Sequence, residues 1–175
     1  METHLKQNAL KNGVILGLFW IGLTSYIYFI DLNLLTNVWF GVVHIVVCII
    51  IGIISIVQFK AKNNGLITFK EAFTVYFYTL IIGSVMNCLY LIILFQFVFS
   101  AEQIKIIKDI LTNFNLYIMK LNYATAADLS KAKTYSESMN PDDMGAIVTS
   151  AVKYLLRDCL IGLLVALIFR NKRSL

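Results

Sequence analysis

The side chains that could do chemistry in this chain are few, and most of them stand inside apolar runs: His44, Cys48, Asn87, Cys88, Arg157, Asp158 and Cys159. Polar groups in hydrocarbon are expensive and usually face a bundle interior. Together these residues suggest a polar pocket, in which Arg157 binds an anionic headgroup or substrate while His44 and Asp158 handle a proton. The competing reading is an interhelical clamp, with Asp158 paired to Arg157 of a neighbouring subunit or to Tyr26, His44 or Asn87. Such bonds contribute only about 0.6–2 kcal/mol in a membrane. His44 and Cys48 are spaced i,i+4 and share one helix face. With Cys88 and Cys159 they make a His–Cys set, but nothing in the spacing brings four ligands together, as a structural zinc site needs. No metal and no cofactor is expected. The sequence has no Ser-His-Asp order, glycine-rich phosphate loop or HExxH. No catalytic residue and no enzyme activity is therefore expected.

The elements that position these residues are read from the apolar runs. The chain has 175 residues, 59% of them hydrophobic and only 14% charged; a soluble domain averages about 25% charged. With one proline and no low-complexity tract, it reads as a single membrane domain over 1–175. A crossing helix needs about 20 residues. The runs 13–30, 38–59 and 72–99 qualify, and the first reads as an anchor because no small-x-small cleavage site follows it. A fourth crossing lies within 141–169, interrupted by Lys153, Arg157 and Asp158. Asn140 as N-cap and Pro141 at the first helical position predict its start. With Arg170 at one interface, Lys153 lies about 25 Å away, near the other.

Thr68 and Glu71 form a capping box at the start of the third helix, and Asn63-Asn64-Gly65 is the turn before it. The segment 100–140 is not structureless. Ile104, Ile107, Ile110, Leu111, Phe114 and Ile118 recur at helical spacing, in a helix that can continue directly from the third crossing, and 124–139 is a weaker helical stretch. The expected fold is all-α: a four-transmembrane-helix bundle with a helical periplasmic insertion between helices 3 and 4, which either folds as a cap over the bundle or forms a partner-docking or membrane-surface hairpin.

Lysines and arginines set the orientation. Lys6 and Lys11 precede the first run, Lys60, Lys62 and Lys70 flank the second loop, and Arg170, Lys172 and Arg173 follow the last run. The positive-inside rule places both termini and that loop in the cytoplasm. The net charge of +5 then serves topology and anionic headgroups rather than nucleic acid. At 1.5 Å per residue, His44 lies about 9 Å below the outer boundary, with Asn87 near the same level and Arg157 and Asp158 about 10–14 Å down. Tyr26 falls in the same zone. Gly13–Gly17 and Gly162–Ala166 are small-xxx-small pairs on the cytoplasmic side, able to pack on each other or to form a homodimer seam.

The segment Gly65-Leu-Ile-Thr-Phe-Lys-Glu-Ala-Phe resembles the Gly-x-Ile-Ser/Thr-Phe-x-Glu-Ala-Phe segment of a bacterial membrane family, common in Bacteroidota and catalogued as domain of unknown function 4199. The layout of crossings is similar over nearly the whole chain. The last helix departs from it, with Lys153-Tyr-Leu-Leu-Arg-Asp standing where the family is more apolar. The resemblance implies an inner-membrane location and no established activity. Members can be encoded near polyprenyl-phosphate glycosyltransferases, which points to an envelope-glycan accessory role. The motif residues here are Thr68, Phe69, Glu71, Ala72 and Phe73. Two functions stay open: a non-enzymatic accessory or scaffold subunit in envelope biogenesis, with a membrane-protein partner or a second copy of itself, or a small lipid or solute transporter or flippase-like subunit.

Overall fold

A computed structural model describes residues 2–138 and 140–171. Lys172 and Arg173, which help orient the last run, and Met139, at the end of the weaker helix, lie outside the described residues. The described residues form six α-helices and no strand: α1 (Glu2–Phe29), α2 (Val38–Lys62), α3 (Phe69–Ile93), α4 (Ala101–Leu121), α5 (Ala126–Ser138) and α6 (Met144–Phe169). A 3₁₀ turn at Leu32–Thr36 links α1 to α2, and α3 runs on through a π-helical turn at Leu94–Val98. α3 is the central helix. It packs most extensively on α1, then on α6 and α2.

α1 begins well before the apolar run that marks it in the sequence. Asn8 and Asn12 look like part of a polar tail, yet both are buried. The Asn8 amide donates to the Ser55 carbonyl at 2.7 Å, and Asn12 donates to Gln58 at 3.0 Å. These bonds draw the first turns of α1 against the end of α2. One layer further in, Ser55 and Thr79 hydroxyls meet at 2.9 Å.

The α2–α3 connection follows its local chemistry. Asn64 and Gly65 take φ of 52° and 75°, the left-handed region that glycine and asparagine tolerate best. Thr68 Oγ1 then accepts from the Glu71 N–H, and the Glu71 carboxylate accepts from the Thr68 N–H at 2.8 Å, so the capping box is complete. At the same end, Lys60 Nζ donates to the Phe169 carbonyl at 3.2 Å, placing a cation at the negative end of α6. The Asn171 side chain accepts from the Ile67 N–H at 2.7 Å, and its own N–H donates to the Ile67 carbonyl at 2.9 Å.

Three sequence expectations need correction. First, α4 does not continue from α3: the backbone turns extended at Phe99 and Ser100, and Ser100 and Gln103 form a second capping box that starts α4 afresh. Second, Asn140 and Pro141 do not begin α6. The Asn140 carbonyl accepts the Asp143 N–H in a turn, and Asp143 is the N-cap, accepting from Gly145 N–H at 2.9 Å. Asp143 wins because its carboxylate can reach an orphan donor of the first turn. Third, the two small-xxx-small pairs do not meet. A Cβ at Gly13 or Gly17 would run into Ile82 or Met86, and one at Gly162 into Tyr76. Both pairs therefore admit α3, not each other.

Tyr76 is the clearest result of that close approach. Its ring is fully buried, and a Cβ at Gly52 on one side or Gly162 on the other would overlap it. α2, α3 and α6 close around this ring.

Around the outside, the apolar surface faces outward. Val42, Val46, Ile50, Ile54 and Val57 of α2, and Leu156, Leu160, Leu164 and Leu167 of α6, are exposed. Such stripes are costly in water and ordinary against lipid. Three helices are long and apolar enough to cross a membrane: His4–Phe29, Val38–Lys62 and Phe69–Val98. α6 matches them in length, with Lys153, Arg157 and Asp158 in its first part. α4 folds beside the 3₁₀ turn at the opposite end from Asn171 and carries α5, with Lys108 donating to the Glu137 carbonyl, while Gln96 donates to the Asp142 carbonyl in the turn before α6. Ile107 is the fully covered residue of the α4 stripe.

Candidate functional site

Between α1, α2, α3 and α6, under α4 and α5, lies a cavity of about 650 Å³. Its walls are mainly aliphatic and aromatic, from Leu23, Ile27, Leu91 and Phe95 among others. Its polar wall is built by α2 and α6. His44 Nε2 lies 3.1 Å from Asp158 Oδ2, and Arg157 Nε donates to Asp158 Oδ1 at 2.9 Å. Arg157 and Asp158 are neighbours in sequence and leave the helix at different angles. The long arginine stem folds back so that the guanidinium returns to the carboxylate. Asp158 is thus engaged at both oxygens, and its side chain is only 5% exposed. The acid pairs with Arg157 of its own chain and with His44, as one branch of the clamp reading allows.

The pair is held from the sides. Trp20 of α1 stacks on the His44 ring at 4.3 Å and 21°. Tyr154, one turn before Arg157, lies under its guanidinium at 5.1 Å, a cation–π contact. Arg157 Nη2 is 2.8 Å from Asp158 Oδ1, but it is buried without a hydrogen bond of its own.

The sequence candidates do not all converge. His44, Asn87, Arg157 and Asp158 all line the cavity. Asn87 reaches Thr24 rather than the ion pair, its side-chain oxygen accepting from Oγ1 at 3.0 Å. Tyr26 is not among the lining residues and is 47% exposed. On α1 the wall is formed by Leu16, Trp20, Leu23, Thr24 and Ile27, a helical stripe that leaves position 26 on another face. Similar depth did not mean similar azimuth.

Sequence reasoning passed over Trp20, Thr24 and Tyr154, which read there as ordinary members of apolar helices. The i,i+4 spacing of Trp20 and Thr24 was the available signal. Cys48 does share the His44 face, and its Sγ, a His44 ring nitrogen and an Asp158 oxygen all lie within 4.8 Å of one another. Among the described residues, neither Cys88 nor Cys159 joins that group.

The 65–73 motif lies at the other end of α3, away from the cavity. Thr68 and Glu71 are occupied in the capping box. Ala72 is fully buried, and Phe69 and Phe73 stack at 6.4 Å. These five residues build a helix start and its packing.

No curated protein and no solved structure matches the chain. Its own helical framework, from within α1 to the Asn171 contact that closes α6 onto the α2–α3 hairpin, coincides with a described family. From residue 11 to residue 171 the chain matches, and belongs to, the family described as Protein of unknown function (DUF4199).

Proposed function

We propose that this is a multi-pass protein of a bacterial inner membrane. In this reading α1, α2, α3 and α6 cross the bilayer, both ends lie in the cytoplasm, and α4 and α5 form a periplasmic cap. Three crossings rest on length and apolarity. The fourth rests on α6, whose Asp158 is buried against His44 and Arg157 while Lys153, nearer the helix start, stays exposed. The lysines at 60, 62 and 70 support the orientation.

Of the two functions left open by the sequence, the cavity favours the second. The protein works without catalysis, as a small transporter-like or flippase-like subunit that holds an amphiphile in the outer half of the bilayer. The observation that carries this is a cavity with mainly apolar walls and cationic groups at two places, Arg157 at the ion pair and Lys108 at the α4–α5 end. Apolar walls with a few placed polar groups are the ordinary form of a ligand site.

Thiol labelling in intact cells tests it. In a background with Cys48, Cys88 and Cys159 replaced by alanine, Ser84→Cys and Asn87→Cys place thiols on the cavity wall without touching the ion pair. A membrane-impermeant reagent should label both, and a short-chain alkyl phosphate should slow the labelling. Protection of both, while Tyr123→Cys on the cap reacts, would mean a sealed bundle. The accessory-subunit reading would then replace this one.

A further inference from the structure

We infer that His44 Nε2, the Cys48 thiolate and one oxygen of Asp158 form a three-ligand site for a thiophilic divalent cation of the zinc class, with its remaining position open to the cavity. The inference uses the same cavity as the proposed function, but the cation needs no amphiphile in order to bind.

The three ligand atoms lie within 4.8 Å of one another, and two of them are already 3.1 Å apart. Zinc bonds of about 2.0–2.3 Å in a tetrahedron separate ligand atoms by roughly 3.3–3.8 Å. The cluster reaches that spacing by small side-chain rotations. One imidazole, one thiolate and one carboxylate make a donor set that suits Zn²⁺ and excludes Mg²⁺ and Ca²⁺, which take oxygen. Three protein ligands with an open fourth position is the arrangement of reactive rather than closed zinc sites.

The supporting groups are also in place: Trp20 fixes the imidazole plane, and Arg157 holds Oδ1 of Asp158 while Oδ2 faces His44. Outer partners of this kind orient metal ligands. All three ligands line the cavity, which is the entry path.

Charge balance sets what else the site takes. On binding, the Cys48 thiol proton leaves to cavity water and the neutral His44 keeps its proton on Nδ1. The cation, the Cys48 thiolate, the Asp158 carboxylate and the Arg157 guanidinium then sum to one positive charge. The open position is therefore suited to one anion, a hydroxide or the anionic head of an amphiphile.

The test uses the full chain in detergent micelles with Co²⁺ alone. The expected result is a thiolate-to-cobalt charge-transfer absorption that excess Zn²⁺ abolishes. Cys48→Ser should remove the absorption while keeping the circular dichroism and elution volume of the parent. Cys88→Ser and Cys159→Ser should retain it, and Asp158→Asn should weaken Co²⁺ binding by at least about tenfold. No charge-transfer absorption in the parent, or absorption that survives Cys48→Ser, overturns the site. Cobalt binding through Cys48 in a protein whose cavity resists thiol labelling would remove the amphiphile reading and leave the metal site standing. A labelled cavity without cobalt binding would do the reverse.

Discussion

His44 and Asp158 stand 114 residues apart in the chain and meet at 3.1 Å. With Arg157 they form one of the polar links between α2 and α6, the Lys60 bond to the Phe169 carbonyl being another, and these two helices touch less than either touches α3. A double-mutant cycle on His44→Ala and Asp158→Ala, read by unfolding in micelles, should give a coupling of about 0.6–2 kcal/mol. Additivity within about 0.3 kcal/mol would mean the pair contributes nothing to stability.

The Tyr76 sandwich predicts an asymmetry. Gly52→Ala and Gly162→Ala should each destabilise by about 1–3 kcal/mol, because a methyl group would be forced into the ring. Tyr76→Phe should instead stabilise, by about 1 kcal/mol or more, because the buried hydroxyl it removes has no partner. Thermal unfolding of the three variants checks both statements together.

Thr68→Ala should cost about 1 kcal/mol through loss of the N-cap. Glu71→Gln should cost less, since an amide oxygen can still accept from the Thr68 N–H. A Glu71→Gln protein of unchanged stability that fails to complement a deletion strain would give Glu71 a role beyond capping.

Orientation is tested at two exposed positions. Tyr123, between α4 and α5, is 95% exposed, and Asn64 stands at the α2–α3 turn. In intact cells an impermeant thiol reagent should label Tyr123→Cys and leave Asn64→Cys unreacted until the membrane is broken. Equal labelling before lysis would sink the four-crossing arrangement.

Features set by neighbouring residues could be read from the sequence. The Thr68–Glu71 box, the Asn64–Gly65 turn and the amphipathic stripe of α4 each depend on a few consecutive positions. The Asn140–Pro141 start misled because two caps stood three residues apart, and only the folded turn shows which reaches a free N–H. Depth along a helix was also legible, which brought His44, Asn87, Arg157 and Asp158 to one level. Rotation about the helix axis was not, so Tyr26 was included and Trp20 overlooked. Gly13, Gly17 and Gly162 announced close approach but not to which helix. Nothing local marks Asn8 and Asn12 as core residues, because their partners, Ser55 and Gln58, lie more than forty residues away.

The ring of Tyr76 has two faces, and the chain supplies their covers at different times. Gly52 precedes it, while Gly162 comes only after α4 and α5 have been made. Without α6 the other helices leave a slot beside the ring, and His44 has Trp20 but not its Asp158 partner. In the four-crossing arrangement proposed above, α6 is a poor candidate for insertion on its own, since Arg and Asp at depth each cost about 2.5–3.5 kcal/mol. The slot and the waiting imidazole give that helix a docking place. One aromatic ring and two absent side chains thus decide where the last helix can dock on the earlier ones.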